Sequence, residues 1–402
     1  MLTVQAASKA IADSMADWEP ASVILDEACG HILRQAVVAE RDQPPFDRVT
    51  MDGIAIDHSG FIEGHRTFRI EDTQHAGDPV TTLKSNAGCI EIMTGAVLPS
   101  GADCVIPVER ITVKNGEAVL EAGYEPQQHQ FIHPQGSDHE KGHEILRPGS
   151  RISPMDIAII ASCGLESVEV GRQPTIRVIS TGNELVAPGE PIEDHQIRLS
   201  NGLALVAMLT AQGFDDTAHE HLVDDPGILE ARLDQLLLDS DVLILSGGVS
   251  MGKADYVPDV LQSLGVEVIF HKISQRPGKP MWYGKGPGGQ AVFALPGNPV
   301  STLVCCRHYV LPALLAASGR PTASPDTARL TEDVTFKADL TCFMPVRLSS
   351  AEGGIVSATP VPTNTSGDFA SLSGTDGYVE LRKEDSEFPV GTVVPLHRWN
   401  AP

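Results

Sequence analysis

The sequence predicts a multidomain protein: an α/β domain with a largely parallel sheet, a small β-rich module and a C-terminal β-barrel or sandwich. Three observations carry this. The chain has 402 residues, more than one ordinary domain needs. From about 173 to 318, short apolar strand-like runs alternate with helical patterns, the order that builds an α/β layer. On either side of that stretch, at 51–139 and 322–402, the runs are short and alternating, and clusters of Gly, Asn, Asp and Pro separate them.

The α/β prediction is sharpest around Asp241-Val-Leu-Ile-Leu-Ser-Gly-Gly-Val-Ser-Met-Gly-Lys-Ala-Asp-Tyr256. Asp241 to Leu245 is a continuous apolar run, which is how a strand covered on both faces reads. From Asp255 onward, Val257, Val260, Leu261 and Leu264 fall on one helical face. The glycine-rich turn between them lets backbone N–H groups approach a ligand, and the following helix adds a positive dipole end. Strand, glycine turn and helix together suit a phosphate.

The remaining elements follow in order. Val4, Ala7, Ile11 and Met15 form a helical stripe, Val23 and Leu25 alternate like a strand, and Asp26 is placed to cap a short helix through Leu33. Gln43-Pro-Pro-Phe-Asp47 breaks the pattern. The β-rich module takes strands at 67–70, 89–93, 104–108 and 118–121. A helix over 155–162 follows, with Ser153 as N-cap and Pro154 at the first position. The α/β region then reads as strand 176–180, helix 200–212, strand 217–222, helix 226–238, strand 241–245, helix 255–264, strands 266–270 and 291–294, and helix 299–316. In the helix at 226–238, Leu229, Leu233, Leu236 and Leu237 share a face. Strands at 378–381 and 392–396 belong to the C-terminal module.

Composition excludes several classes. A formal charge of −24 argues against general binding to nucleic acid or anionic membrane, so an anionic ligand needs a local basic pocket. No apolar run reaches the roughly 18 residues that span a bilayer. The first residues lack a basic and an apolar region, so no secretory signal is expected. Seven scattered cysteines without a Cys-x-x-Cys pair suit a reduced, cytoplasmic protein with buried thiols.

Three α/β strands end in loops with chemistry: Ser180-Thr-Gly-Asn-Glu184, Ser246-Gly-Gly-Val-Ser250 and Leu295-Pro-Gly-Asn-Pro299. Ligands of open α/β sheets lie beyond the carboxyl ends of strands. Gly247 to Lys253 matches G-x-x-x-x-G-K, but Ala254 stands where a Ser or Thr would ligate Mg²⁺, so phosphate contact is expected without nucleoside triphosphatase machinery. His139-Glu-Lys-Gly-His143 matches a zincin signature, but Gly136, Gly142, Pro148 and Gly149 around it disfavour the helix that chemistry requires, so a solvated turn is expected. Arg276-Pro-Gly-Lys-Pro280 sets two cations in a stiff turn. In Leu295-Pro-Gly-Asn-Pro299, Asn298 is placed to cap a helix that begins at Pro299. Asp52, Asp138, Glu184, Asp224, Asp225 and Asp255 are loop acids. Glu184, the Asp224-Asp225 pair and Asp255 fall at or near the carboxyl edge, where converging carboxylates would hold Mg²⁺.

Taken together, these segments resemble the molybdopterin molybdenumtransferase family over nearly the whole chain. The family includes the MoeA-type enzymes and has the C-terminal domain of gephyrin as a eukaryotic relative. The matching text is Asp47 with Met51-Asp-Gly-Ile-Ala55, Ile92-Met-Thr-Gly-Ala96, Gly136-Ser-Asp138 with Lys141-Gly142, Ser180-Thr-Gly-Asn-Glu-Leu185, Ser200-Asn201, Asp224-Asp-Pro226, Ser246-Gly-Gly-Val-Ser250 with Ala254-Asp-Tyr256, Arg276-Pro-Gly-Lys-Pro280 and Leu295-Pro-Gly-Asn-Pro-Val-Ser301. Order and spacing carry the match more than any one motif.

The resemblance implies four parts: an extended mixed domain from 1–50 and 140–172, a β-rich insertion at 51–139, a doubly wound molybdopterin-binding domain at 173–321, and a β-barrel at 322–402. It also implies a cytoplasmic homodimer with its active site between subunits, a pterin substrate, and other molybdenum cofactor biosynthesis proteins as further partners. The implied reaction takes adenylylated molybdopterin and molybdate, cleaves the adenylate with release of AMP, and uses Mg²⁺. By position, Glu184, Asp224 and Asp255 would be the catalytic and metal-binding acids, with Asp52, Thr94 and Asp138 supplied by the other subunit. Ser200, Gly247, Gly248, Ser250, Pro296, Gly297, Asn298 and Pro299 would contact pterin or phosphate, and Arg276 and Lys279 would neutralise oxyanions.

The chain departs from the common family pattern at Ile54, His133-Pro-Gln135, Lys253, Arg276 and His143. Those departures keep a second reading open, a non-catalytic paralogue that binds or delivers molybdopterin or serves as a scaffold. The near P-loop keeps a third, a kinase-like phosphate enzyme.

Overall fold

Val242–Ser246, the apolar run before the glycine turn, is a strand with all five residues buried. Its side chains alternate between two cores. Leu243 and Leu245 pack with Leu229, Leu233, Leu236 and Leu237 of one helix and Val257, Val260 and Leu261 of another. Val242 and Ile244 face the opposite core, with Leu205 and Leu209, the N-terminal Val4, Ala7 and Ile11, and the later Val300, Val304 and Leu314. A strand covered on both faces carries no polar alternation, which is why this run was legible as continuous apolar sequence.

The computed structural model describes residues 1–248, 256–321, 324–336, 339–350 and 352–400. It divides into two units, Met1–Arg34 with Pro148–Ser153 and Ser167–Pro402, and Gln35–Arg147 with Pro154–Glu166.

The first unit holds a six-stranded sheet in the order Thr217–Leu222, Ile176–Thr181, Val242–Ser246, Ala291–Leu295, Trp282–Lys285, Glu267–His271. The first four strands are parallel. Helices Asn201–Thr210 and Pro299–Cys305 cover one face, and Pro226–Asp239 and Val257–Ser263 cover the other, so the sheet is doubly wound as expected. One strand escaped the sequence reading. Trp282–Lys285 runs antiparallel to both of its neighbours. It is four residues long, lies between turn-rich segments and contains Gly284. A Cβ on Gly284 would sit 2.7 Å from the Glu267 carbonyl oxygen, so close strand approach there excludes any larger residue.

The helix expected from Asp26 to Leu33 is a single 3-10 turn, Leu25–Glu27. Gly30 turns the chain at φ +90°, and Ile32 and Leu33 instead bridge to Arg151 and Val170. Tertiary pairing overrides the local helical signal there. The helix expected at 299–316 runs from Pro299 to Ala317 with a wider π turn at Cys306–Val310. Among the described residues it is the one helix long and apolar enough to cross a membrane, and it is largely buried, with Val300, Val304, Val310 and Leu314 in the core.

The C-terminal strands close on themselves. Thr341–Ser350, Val356–Pro360, Asp326–Leu330, Val393–Arg398 and Gly377–Leu381 follow in order, and the last pairs back with the first. This is a five-stranded barrel rather than a sandwich, filled by Leu330, Val346, Ala358, Val379, Leu381 and Leu396. Closure removes exposed strand edges.

The second unit is built on a curled six-stranded sheet in the order Cys104–Pro107, Gly53–Ile56, Gly88–Ile92, Thr67–Gln74, Glu117–Leu120, Ile111–Lys114. Ile54, Ile56 and Phe68 pack on one face, and Ala55, Ile90 and Ile92 on the other. Six of the seven cysteines are buried and none is paired. Burial pushes the Cys89 and Cys104 thiols up to about 12, leaving them protonated and inert at neutral pH.

Candidate active site

The four parallel strands end at Thr181, Leu222, Ser246 and Leu295 on one edge of the sheet. The chain leaves Ile176–Thr181 toward Thr217–Leu222 on one side, then returns to Val242–Ser246 on the other. The topological switch therefore lies between Thr181 and Gly247, where an open α/β sheet forms its ligand crevice. Gly247 and Gly248 have φ of +106° and +65°. A Cβ on Gly247 would lie 2.7 Å from the Thr181 carbonyl oxygen, so this turn requires glycine. The Thr181 hydroxyl sits beneath both glycines, buried and, among the described residues, without a hydrogen-bond partner.

Asn201, at the start of the helix after the first loop, ties three segments together. Its Nδ2 lies 2.8 Å from the Gly297 carbonyl oxygen, 3.0 Å from Ser246 Oγ and 3.3 Å from Thr302 Oγ1. Thr302 donates in turn to the Pro296 carbonyl. The Pro296-Gly297 loop is thereby fixed beside the glycine turn. Ser200 is the N-cap residue of its helix and makes no side-chain cap bond. Asn298 is N-cap by position, but its side chain does not cap the helix as expected. Its Nδ2 donates to Ser366 Oγ at 2.8 Å, which joins the barrel's Ser366 segment to the Pro296–Pro299 loop.

Glu184 is exposed in the loop after Thr181. The neighbouring Asn183 accepts the Asp224 backbone N–H at 3.1 Å, which holds the two acid loops together. The Asp224-Asp225 pair is divided by role. Asp225 caps the helix Pro226–Asp239, accepting from Gly227 and Ile228 N–H, while Asp224 sits one residue outside the cap. Ser250, Lys253 and Asp255 lie outside the described residues. Among the described residues no group of three or more His, Cys, Asp or Glu side chains converges as a metal site. Arg276 and Lys279 are exposed and make no ion pair with the described residues. Their turn is clamped from below: Gln275 Nε2 donates to the Pro277 carbonyl at 2.9 Å, and Gly278 packs against Cys305 Sγ.

In the second unit, Asp52 Oδ1 accepts from Thr94 twice, from its backbone N–H at 2.6 Å and from Oγ1 at 2.7 Å. These bonds, the backbone one foremost, hold the Asp52 carboxyl below the usual carboxylate range. Asp138 accepts from His133 at 3.0 Å. The His139–His143 segment is a turn whose rings stack at 5.0 Å. The helix that a zincin needs is absent there, in line with the solvated turn expected.

Thr181, Thr302 and Ser366 also support this edge, and no sequence motif assigns them a role. Small hydroxyl residues carry no periodic or charge signal. Only the register of neighbouring strands and the return of the barrel segment bring them to this edge.

The structure thus defines a multidomain α/β protein whose doubly wound sheet has its topological switch between Thr181 and Gly247. Known proteins sharpen that class. The MoeA N-terminal region (domain I and II) matches residues 2–164, a "probable molybdopterin binding domain" matches 177–316, and the MoeA C-terminal region (domain IV) matches 327–399. A molybdopterin molybdenumtransferase from Synechocystis is 37% identical over 400 residues, covering 99% of this chain and all of the relative. One from Staphylococcus epidermidis is 29% identical, covering 98% and 95%. The crystal structure of the molybdopterin biosynthesis MoeA protein from Pyrococcus horikoshii superposes with a TM-score of 0.84 at 29% identity, covering both chains completely. The chain belongs to the molybdopterin molybdenumtransferase family.

Proposed function

We propose that this protein inserts molybdate into adenylylated molybdopterin, cleaving the adenylate and releasing AMP in an Mg²⁺-dependent step of molybdenum cofactor biosynthesis. The observation that carries the reading is the alignment of four parallel strand ends, which sets Glu184, Asp224, the Gly247-Gly248 turn and the Pro296–Pro299 loop on one sheet edge. Family membership supplies the substrate class.

Cleavage of a phosphoanhydride needs charge neutralisation and in-line positioning more than a covalent nucleophile. In this reading the Gly247-Gly248 amides and the Ser200 and Ser250 hydroxyls hold the pterin or its phosphate. Pro296, Gly297, Asn298 and Pro299 wall the same ligand, and Arg276 and Lys279 offset oxyanion charge. Glu184, Asp224 and Asp255 would hold Mg²⁺. Glu184 and Asp224, two carboxylates on loops joined through Asn183, fit a hard cation that takes a few carboxylates plus ligand oxygens. The ion would supply neutralisation of phosphate oxygens.

The reading includes a cytoplasmic homodimer in which one subunit supplies Asp52, Thr94 and Asp138 to the other. It also includes hand-over to other molybdenum cofactor biosynthesis proteins. It keeps the four-part division at 1–50 with 140–172, 51–139, 173–321 and 322–402. The experiment is AMP release by purified protein given adenylylated molybdopterin, molybdate and Mg²⁺. AMP release that is lost in Glu184→Ala supports the reading. Tight pterin binding without AMP release, unchanged by Glu184→Ala, replaces it with the non-catalytic carrier.

A further inference from the structure

His133 stands between two groups of fixed hydrogen-bonding character. Arg48 Nη2 lies 3.2 Å from its Nδ1, and Asp138 Oδ1 lies 3.0 Å from its Nε2. A guanidinium only donates and a carboxylate only accepts. The imidazole must therefore accept at Nδ1 and donate from Nε2–H, which is a single neutral tautomer.

The backbone builds this arrangement. His133 and Arg48 are cross-strand partners in the short ladder Ile132–His133 with Arg48–Val49. The loop that follows is pinned to residues 43–47: Gly136 N–H donates to the Pro44 carbonyl, Asp138 N–H to the Gln43 carbonyl, and Gln135 N–H to Asp47 Oδ1, all at 2.8–2.9 Å. Those bonds fix the Asp138 backbone and leave its carboxylate free to rotate. Among the described residues His133 is the side chain that holds it. Asp138 Oδ2 carries no partner there, so one oxygen is anchored and the other is open.

We propose that His133 is a positioning residue, oriented by Arg48, that aims the open oxygen of Asp138 at the substrate. The proposal rests on the reading above that Asp138 serves the reaction. His133 touches Asp138 rather than the reacting atoms and acts through it, as a third group orients a catalytic base in other enzymes.

The test uses the full-length protein and the AMP-release assay, with His133→Ala, His133→Gln, Asp138→Asn and the His133→Ala/Asp138→Asn pair. His133→Ala should lower kcat about ten- to a hundredfold, the loss of one charge-assisted hydrogen bond at a positioned group. KM for the pterin and the thermal midpoint should stay near wild type. His133→Gln, whose amide can accept from Arg48 and donate to Asp138, should restore most of kcat. The double variant should be no slower than Asp138→Asn alone. The ¹⁵N spectrum of the ring, assigned by its loss in His133→Ala, should show Nε2 protonated and Nδ1 bare. Wild-type kcat in His133→Ala beside an inactive Asp138→Asn overturns the proposal and leaves the proposed function standing. Full activity in Asp138→Asn overturns the role of Asp138 and this inference with it. A ring protonated at Nδ1 overturns the Arg48 orientation whatever the activity.

Discussion

Asn201 donates through Nδ2 to the Gly297 carbonyl oxygen at 2.8 Å, across 96 positions of sequence. The bond links the start of one helix to the loop before another, and the same amide reaches Ser246 and Thr302. The Gly297 carbonyl only accepts, so that contact needs a donor at position 201. Asn201→Asp keeps the shape but sets a carboxylate oxygen against a carbonyl oxygen. The loop should loosen from the glycine turn. Pterin affinity, read by calorimetry, should fall about tenfold or more, matching loss of one such bond with an acceptor left unsatisfied. Affinity equal to wild type would show that this loop does not meet the ligand.

Gly247 and Gly297 separate folding from binding. Gly247→Ala forces a side chain to φ +106° and into the Thr181 carbonyl, so about 1–3 kcal/mol of stability should be lost in denaturant unfolding. Among the described residues a Cβ on Gly297 would meet only Gly247 Cα, at 3.5 Å, an ordinary contact. Gly297→Ala should leave unfolding within about 0.5 kcal/mol of wild type. It should still weaken pterin binding, because the added methyl lies beside the Gly247 turn.

Thr94 controls Asp52. The backbone N–H bond survives any side-chain change, whereas the Oγ1 bond does not. Both lower the Asp52 pKa, the backbone bond more. Thr94→Val should therefore raise the Asp52 titration midpoint part of the way back to the ordinary value, as followed by carboxyl ¹³C shifts. An unchanged midpoint would mean that the hydroxyl bond is not formed in solution.

How much of this was readable beforehand differs by element. The Val242–Ser246 strand and the Leu229–Leu237 helix face announced themselves because burial on both faces, or on one stripe, writes a period into the sequence. The acid loops were visible because they follow such strands. Trp282–Lys285 was hidden because four residues are too few to show a period, and its pairing depends on strands distant in sequence. Asn298 has the local sequence pattern of a helix cap, yet Ser366 claims its side chain from the barrel. Likewise the Arg48–His133–Asp138 chain joins residues 85 and 5 positions apart, and only strand register brings the first two together.

Asp241 gives the sharpest stability prediction. At the entry to the central strand, it accepts from both Arg172 terminal nitrogens at 2.8 Å and from Thr175 N–H at 2.8 Å. The Arg172 bonds are the largest cause of a carboxyl held below its ordinary range, with partial burial opposing and the Thr175 bond assisting. A depressed folded value fixes the sign. The stabilisation is complete above the unfolded carboxylate value of about 3.9 and is lost as pH falls through the lower folded value. Asp241→Asn should cost about 1–2 kcal/mol at pH 7, the low end for a charge-assisted bond because the pair is partly open to solvent. The gap between wild type and variant should hold from pH 7 to about 4 and narrow below it. A gap that widens on acidification would mean that the carboxylate is not the form the fold prefers.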